Sequence, residues 1–360
     1  MQLGIIGLPN SGKTTVFNAL TGSNYETGAV TGGKMEILTA VVNVPDERVD
    51  RLSEIYQPKK TTYATVTYYD IGGLDKGISQ GGLSGPLRNA LAQSDGFVHV
   101  VRVFEDETVP HPYVDVDPAR DVDIIDGEFM LSDLITVERR LERLQDELKK
   151  GSQTLDRRQN AFETELMRRL QAALEEETPL RDIQLGAEEH KLLRGYGLLS
   201  LKPVVLVFNL GEVYQDPTEI LTYDHDNAIV IGLQGQLEAE IAQLEGEDRT
   251  MFLEEYAIQE PSAARVIKES YRLMNIHSFF TVGEDEVRAW SVRVGAKAPE
   301  AAGVIHTDLQ RGFIRAEVMH YDEFIEVGSE SAMKAAGKLH VEGKEYVVKD
   351  GDILHVRFNV

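Results

Sequence analysis

The chain contains no cysteine among its 360 residues. It can therefore form no disulfide, use no thiolate nucleophile and hold no metal site that depends on cysteine. It also lacks any run of the roughly 20 apolar residues that a transmembrane helix needs. A strand-like run, Leu3–Ile6, stands where a signal peptide would carry its basic residues. These absences predict a cytoplasmic protein without a membrane partner.

Positive charge is also scarce, because 37 Lys and Arg face 60 Asp and Glu and leave a net charge of -23. Such a chain repels nucleic acid overall, so DNA is not expected as a partner and RNA would require a local basic patch. With 42% hydrophobic and 27% charged residues the chain can build a core, which excludes a disordered or collagen-like protein. The length predicts about two domains.

Strand and helix patterns alternate in the first third of the chain and again after residue 200. The helical segments are Lys13–Leu20 and Gly85–Ala92. The strand-like runs are Leu3–Gly7, Val41–Val44, Thr65–Tyr69, Phe97–Val103, Val204–Asn209 and Ala228–Ile231. Apolar strands interleaved with helices are typical of a mainly parallel sheet in an α/β domain.

Between these two groups the apolar residues recur every three or four positions. The pattern covers 134–148 and resumes over 155–174, with Leu155 and Phe162 in the repeat. It predicts an antiparallel hairpin of two long helices with coiled-coil character, joined by a turn at residues 149–152. Two ordinary helices packed on the α/β body are the alternative, because the heptads are few.

After residue 276 the chain alternates in short segments separated by glycines. The expected strands are Phe279–Thr281, Ala289–Val294, Phe313–Val318, Lys344–Val348 and Ile353–Val360. This pattern predicts a small β-rich domain with one or two helices.

The segment Gly7–Thr14 matches the phosphate-loop pattern G-x-x-x-x-G-K-[ST] between a strand and a helix. Its glycines let backbone N–H groups converge on phosphates, and the following helix N-terminus adds positive charge. Lys13 is expected to reach the β- and γ-phosphates, and the Thr14 hydroxyl is expected to ligate Mg²⁺. A simple glycine-rich turn is the alternative.

Two further motifs follow later strands. In Asp70-Ile71-Gly72-Gly73 the carboxylate of Asp70 is expected to hold Mg²⁺ through water, and the Gly73 N–H to contact the γ-phosphate. The segment 209–212, Asn-Leu-Gly-Glu, stands where GTPases carry the guanine-binding N-K-x-D. Because Glu212 is longer than the usual Asp, strict guanine recognition is not expected.

The chain resembles the Obg-related, YchF-type ATPases over essentially its whole length. The matching segments are 7–13, 70–74, 99–102, 209–212, 286–290, 303–308, 312–316 and 349–352. The resemblance implies a Ras-like P-loop NTPase domain with an inserted helical coiled-coil hairpin and a C-terminal β-rich TGS domain of ubiquitin-like α+β type. The implied bounds are 1–128 with 201–277 for the nucleotide-binding domain, 129–200 for the insertion and 278–360 for the TGS domain.

The resemblance also implies site residues. Those matching nucleotide contacts are Asn10, Ser11, Gly12, Lys13, Thr14, Thr15, Gly73, Asn209, Leu210 and Glu212, and those matching magnesium positions are Thr14 and Asp70. The first switch departs from the family pattern, and Thr27 and Thr31 are the candidates for its metal-binding threonine. The base-edge motif at 234–238 is altered as well.

Leu74 stands where small GTPases place a glutamine that orients the attacking water, and leucine cannot do so. The polar candidates for this role are Gln80, His99 and His111, or a bound partner. The resemblance points to His111, in the loop Val-Pro-His-Pro at 109–112, as the catalytic residue together with Lys13. A neutral imidazole can accept a hydrogen bond from water. An exposed loop histidine without a role is the alternative.

Basic residues come in pairs along the predicted hairpin. Those near its turn, which are candidates for contact with RNA phosphates, are Lys149, Lys150, Arg157 and Arg158. Ion pairs with neighbouring Glu on a solvated helix face are the alternative.

The resemblance implies a monomeric, Mg²⁺-dependent switch that prefers ATP over GTP and associates with the ribosome through the helical arm and the TGS domain, in translation or stress regulation. The alternatives are a nucleotide-stabilised scaffold with incidental turnover and a GTP-preferring GTPase.

Overall fold

The computed structural model describes residues 1–26, 37–72, 83–149, 157–256, 258 and 260–359. The contacts divide the chain into two compact units, here called the P-loop unit (Met1–Ala40 and Thr67–Val266) and the C-terminal unit (Val41–Val66 and Ile267–Val360). Among the described residues, no helix is both long and apolar enough to cross a bilayer. The division into three domains at residues 128, 200 and 277 stays a prediction.

The helices and strands follow one another as the sequence patterns indicate for most of the chain. The strands are Gln2–Ile6 (β1), Ile37–Asn43 (β2), Lys60–Thr62 (β3), Thr65–Ile71 (β4), Gly96–Arg102 (β5), Val204–Asn209 (β6), Ala228–Leu233 (β7), Ile276–Thr281 (β8), Glu286–Arg293 (β9), Phe313–His320 (β10), His340–Glu342 (β11) and Asp352–Phe358 (β12). The helices are Lys13–Thr21 (α1), Glu47–Tyr56 (α2), Gly85–Gln93 (α3), Pro118–Lys149 (α4), Arg157–Glu175 (α5), Ala187–Leu193 (α6), Pro217–Ile220 (α7), Gly235–Gln243 (α8), Gly246–Glu255 (α9), Ser262–Leu273 (α10), Ala298–Ile305 (α11), Thr307–Arg311 (α12), Tyr321–Val327 (α13) and Glu330–Ala335 (α14).

A six-stranded sheet in the order β2-β4-β1-β5-β6-β7 forms the centre of the P-loop unit. β1, β5, β6 and β7 pair in parallel, and every residue of β5 and β6 is buried. The predicted α/β class is confirmed. Because the carboxyl ends of parallel strands meet at one edge, the loops that follow β1, β5, β6 and β7 converge there.

The predicted helical hairpin is present as α4 and α5. Its buried seam consists of Val137, Leu141 and Leu144 of α4 and Leu166, Leu170 and Leu174 of α5. Leu180, Leu193 and Leu198 of the following segment also pack against this seam. Phe162 and Leu148, which the repeat places in the seam, are 41% and 53% exposed and do not belong to it. The predicted Leu155 and the turn at residues 150–152 lie outside the described residues.

Helix α4 begins at Pro118, well before the apolar repeat that starts at Leu134. The reason is a second apolar face, since Ile125 and Phe129 pack with Leu199 and Val204 in a core cluster of the sheet. The arm is therefore the continuation of a helix that packs on the sheet.

The C-terminal unit contains a second six-stranded sheet in the order β11-β10-β12-β8-β9-β3. Residues 41–66 join this unit, where the Arg48 guanidinium donates to both oxygens of Asp350 at 3.0 and 3.2 Å. The predicted strand Lys344–Val348 is wrong. That segment is a turn with one isolated bridge, because the Tyr346 N–H donates to the Gly343 carbonyl oxygen at 3.3 Å instead of to a neighbouring strand.

Candidate nucleotide-binding site

The phosphate loop spans residues 7–12 and has a shape that only glycine permits at both ends. Gly7 has φ 151° and Gly12 has φ 88°. A Cβ at Gly7 would lie 2.3 Å from the Val100 carbonyl oxygen, and one at Gly12 would lie 2.1 Å from Nδ2 of Asn209. Gly12 caps α1 without a side-chain hydrogen bond, so the first N–H groups of that helix are available to an anion.

Lys13 lies over this loop. Its ammonium donates to the carbonyl oxygens of Gly7 at 3.0 Å and Leu8 at 2.7 Å. These are neutral acceptors, and a phosphate oxygen is a stronger acceptor for an ammonium group. The lysine is therefore placed to transfer its hydrogen bonds to a bound phosphate.

Thr14 and Asp70 are brought together by α1 and the end of β4. The Thr14 hydroxyl donates to Oδ2 of Asp70 at 2.9 Å. Burial raises the pKa of Asp70, while the Thr14 hydrogen bond and the Lys13 charge oppose that shift. The other oxygen, Oδ1, is buried and has no hydrogen-bond partner among the described residues. A buried carboxylate oxygen beside a hydroxyl fits an oxygen-ligated Mg²⁺. The predicted Thr27, Thr31 and Gly73 lie outside the described residues.

Asn209 links three segments of the site. Its Nδ2 donates to the Ser11 carbonyl oxygen at 3.0 Å, and its Oδ1 accepts from the Gly235 N–H at 3.2 Å. The end of β6 is thereby tied both to the phosphate loop and to the start of α8. Leu210 is 4% exposed and packs in a core cluster with Phe208, whereas Glu212 is exposed.

Asn209→Ala is expected to destabilise the protein by about 1–3 kcal/mol, since two buried backbone groups lose their partner. Nucleotide affinity should fall as well, because the loop loses this support. Urea unfolding and nucleotide titration measure the two effects. Asn89→Ala is the control, because Asn89 is exposed on α3 and its side chain makes no hydrogen bond among the described residues. Equal unfolding free energies for the two variants would contradict the bridging role of Asn209.

Two side chains at this edge were missed in the sequence. Arg102 is buried and donates through Nε to the Phe104 carbonyl oxygen at 3.1 Å and through Nη1 to that of Asn10 at 3.4 Å. Phe104 lies between the phosphate loop and the loop that follows β6, since a Cβ on Gly12 would be 3.9 Å from its Cε1 and one on Gly211 would be 3.4 Å from its Cβ. Arg102 lies in a motif of the resemblance, but no sequence signal marks Phe104.

His111 is 8% exposed, so the interpretation as an exposed loop histidine is wrong. Its Nδ1 accepts from the Tyr113 N–H at 3.1 Å, and its Nε2 lies 2.9 Å from Oδ2 of Asp121. Since Nδ1 accepts, the proton is assigned to Nε2, which donates to Asp121. Both ring nitrogens are thus engaged by the protein in this conformation. Asn10 donates to the Pro110 carbonyl oxygen at 2.9 Å and connects this loop to the phosphate loop.

The other two candidates for positioning water differ in their placement. His99 is buried in β5, and burial lowers its pKa to about 4, so that its ring is neutral and closed to solvent. Gln80 and Leu74 lie outside the described residues.

Comparisons with known proteins identify the family. Residues 2–148 match the family model MMR_HSR1, "50S ribosome-binding GTPase", and residues 276–359 match YchF-GTPase_C, "Protein of unknown function (DUF933)". The chain is 42% identical over 366 residues to the "Ribosome-binding ATPase YchF" of Haemophilus ducreyi, across 100% of this chain and 99% of that protein. The chain belongs to the YchF family.

Other YchF-family proteins match at similar length. Identity to the Bacillus subtilis "Ribosome-binding ATPase YchF" is 42% over 369 residues and 100% of both chains. The "Structure of the Schizosaccharomyces pombe YchF GTPase" is 34% identical, with a TM-score of 0.85 over 99% of this chain and 97% of that one. Family membership confirms the P-loop nucleoside-triphosphate hydrolase class and the predicted combination of a P-loop domain, a helical arm and a β-rich C-terminal domain.

The helical arm of this YchF-family chain carries basic residues near the turn and along both α4 and α5. Lys149 is exposed and lies 3.6 Å from Asp146, while Arg157 and Arg158 are exposed in the first turn of α5. Lys150 lies outside the described residues. Nearer the sheet, a cavity of about 570 Å³ is lined by four arginines, Arg88, Arg139, Arg140 and Arg143.

Proposed function

We propose that this chain is an Mg²⁺-dependent switch of the cytoplasm that hydrolyses ATP and docks on the ribosome in a nucleotide-dependent manner. The observation that carries the proposal is the pairing of Thr14 with Asp70 beside Lys13, which suits an Mg²⁺-bound triphosphate. The relatives named ribosome-binding ATPases, at 42% identity over the full chain, support ATP and the ribosome as substrate and partner.

Phosphate binding is the first task of the site. The N–H groups at the start of α1 and the Lys13 ammonium would hold the β- and γ-phosphates, and Thr14 and Asp70 would hold Mg²⁺. When bound, Mg²⁺ neutralises the charge that develops on the phosphate oxygens. The buried Arg102 supports the phosphate loop through the Asn10 carbonyl oxygen, so that the loop keeps its shape.

Base recognition is the second task. Asn209 is held between two backbone groups, and the half-buried Phe104 lies between the adjacent loops. The Phe104 ring is therefore the candidate stacking surface for a purine base. Glu212 replaces the Asp that pairs with guanine in GTPases, which favours ATP.

The test is multiple-turnover phosphate release from ATP and from GTP, each with and without purified ribosomes. We expect faster turnover of ATP than of GTP and loss of turnover without Mg²⁺. We also expect the rate of phosphate release from ATP to change when ribosomes are added. Lys13→Ala is the control that removes phosphate binding. Absence of turnover in every condition would favour the scaffold alternative, and faster turnover of GTP would favour the GTPase alternative.

Ribosome binding is expected to depend on the basic residues at the turn of the arm. Reversing Arg157 and Arg158 to Glu should weaken binding about tenfold and lower the slope of log affinity against log salt by about one for each lost phosphate contact. Reversing Lys149 and Lys150 as well should enlarge both effects. Ribosome pelleting over a series of salt concentrations measures them.

Lys191→Glu with Arg194→Glu is the matched control, because both residues are exposed and lie in the same insertion away from the turn. It carries the same change in charge as the first double variant. If binding is independent of salt, or if the control weakens it equally, the turn is not the contact.

A further inference from the structure

We propose that the C-terminal unit binds one transition-metal dication, Zn²⁺ by preference, through His320, Glu323 and His340. One potential ligand atom from each of the three side chains lies within 4.8 Å of the others. This site differs in kind from the proposed Mg²⁺ site, whose side-chain ligands are all oxygens.

The fold brings the three residues together from three elements. His320 ends β10, and Glu323 lies three residues later in the first turn of α13. His340 begins β11 and pairs in register with Val318, two residues before His320. It is therefore the diagonal neighbour of His320 across the strand pair, and side chains at such positions reach one another. The two imidazole rings have centroids 5.7 Å apart.

His320 is oriented by a buried carboxylate. Its Nδ1 lies 2.7 Å from Oδ1 of Asp352, a residue with no exposed surface. The other oxygen of Asp352 accepts from the Tyr346 hydroxyl at 2.8 Å and the Lys349 N–H at 2.9 Å. With its proton on Nδ1 and donated to Asp352, His320 offers the Nε2 lone pair as a ligand. Metal-binding histidines are commonly held by a carboxylate in this way.

Glu323 supplies an oxygen that needs a partner. Its Oε2 is buried and has no hydrogen-bond partner among the described residues. Its Oε1 lies 3.8 Å from the Lys338 ammonium, which is closer to Glu326 at 3.1 Å. A bound cation would satisfy the buried oxygen, and Lys338 could keep its closer contact with Glu326.

Two imidazole nitrogens and one carboxylate oxygen are a donor set that suits Zn²⁺ better than Mg²⁺ or Ca²⁺, which prefer oxygen alone. Bonds of about 2.0–2.2 Å place the donors of a tetrahedral site roughly 3.3 Å apart. The side chains must therefore approach one another, and the exposed His340 can move to do so. Three protein ligands leave the fourth position to water or to a group from a partner.

The experiment uses the full chain without an affinity tag, stripped of metal by a chelator and free of nucleotide. Zn²⁺ is titrated by calorimetry, and Co²⁺ is added as a spectroscopic probe of coordination. We expect one equivalent of Zn²⁺ to bind, Co²⁺ to show the absorption bands of a four-coordinate site, and the unfolding temperature to rise with Zn²⁺ and fall again with chelator.

His340→Ala should lower the Zn²⁺ affinity at least tenfold without unfolding the chain, because this side chain is exposed. His320→Ala and Glu323→Gln should do the same, and Asp352→Asn should weaken binding about 10–100-fold by releasing the orientation of His320. His355→Ala is the control, because His355 is an exposed histidine of the same unit on β12. Absence of Zn²⁺ and Co²⁺ binding, or undiminished binding by His340→Ala, would overturn the proposal.

Discussion

Replacing His111 with alanine is expected to lower the rate of ATP turnover by about 100-fold, the usual contribution of a group that accepts a proton or hydrogen bond from the attacking water. ATP affinity should stay unchanged, because this loop contacts the phosphate loop through the Pro110 carbonyl oxygen rather than through the imidazole. Single-turnover phosphate release and nucleotide titration separate the two quantities.

The contact between His111 and Asp121 makes a second variant informative. In the present conformation Nε2 of His111 donates to Asp121 at 2.9 Å and Nδ1 accepts from the Tyr113 N–H at 3.1 Å. The ring can accept from water at Nδ1 only after the Tyr113 contact opens, or at Nε2 only after both contacts open and the proton moves to Nδ1. If the ring leaves Asp121 before hydrolysis, Asp121→Ala should keep turnover within the same order of magnitude as the parent. A loss as large as that of His111→Ala would instead show that the pair acts together. Undiminished turnover of His111→Ala would exclude His111 as the group that accepts from the attacking water.

Asp126→Ala is expected to destabilise the P-loop unit by about 3–5 kcal/mol, the usual cost of leaving one partner of a buried ion pair unpaired. Both oxygens of Asp126 accept from Nη2 of Arg181 at 2.9 Å, and Oδ2 also accepts from the Tyr223 hydroxyl at 2.6 Å. The Arg181 side chain is 0% exposed, and its Nε and Nη1 atoms are buried without hydrogen-bond partners among the described residues. Asp126 is therefore essential to keep this cation in the interior.

Urea unfolding followed by circular dichroism measures this difference in stability. Asp123→Ala is the matched control on the same helix, because Asp123 is exposed and should change stability by less than about 0.5 kcal/mol. The double variant Asp126→Leu with Arg181→Met should recover most of the loss, since it removes both charges together. A loss below about 1 kcal/mol for Asp126→Ala would show that Arg181 finds another partner.

Sequence patterns correctly predicted those helices and strands whose own pattern of apolar residues decides their structure. The runs at Phe97–Val103 and Val204–Asn209 are mostly apolar, and they form the fully buried parallel strands β5 and β6. The segment Lys344–Val348 resembles a strand in sequence, but its Tyr346 N–H donates to the Gly343 carbonyl oxygen at 3.3 Å and closes a turn. The start of α4 was missed because residues 118–133 bury a different face from the later repeat, against the sheet instead of the partner helix.

The absence of cysteine, the phosphate loop at Gly7–Thr14 and the family resemblance could all be determined from the sequence by itself. Local motifs are readable because a few consecutive residues, together with the backbone angles of glycine, set their geometry. The contacts of His111 with Asp121 and of His320 with Asp352 were decided only by the tertiary structure. No spacing along the chain encodes them, because they depend on how a loop meets a helix and on which strands pair. The sequence lacks cysteine and so excluded a cysteine-ligated metal site. The pairing of β10 with β11 brings His320 and His340 together, where a histidine-ligated metal site can form.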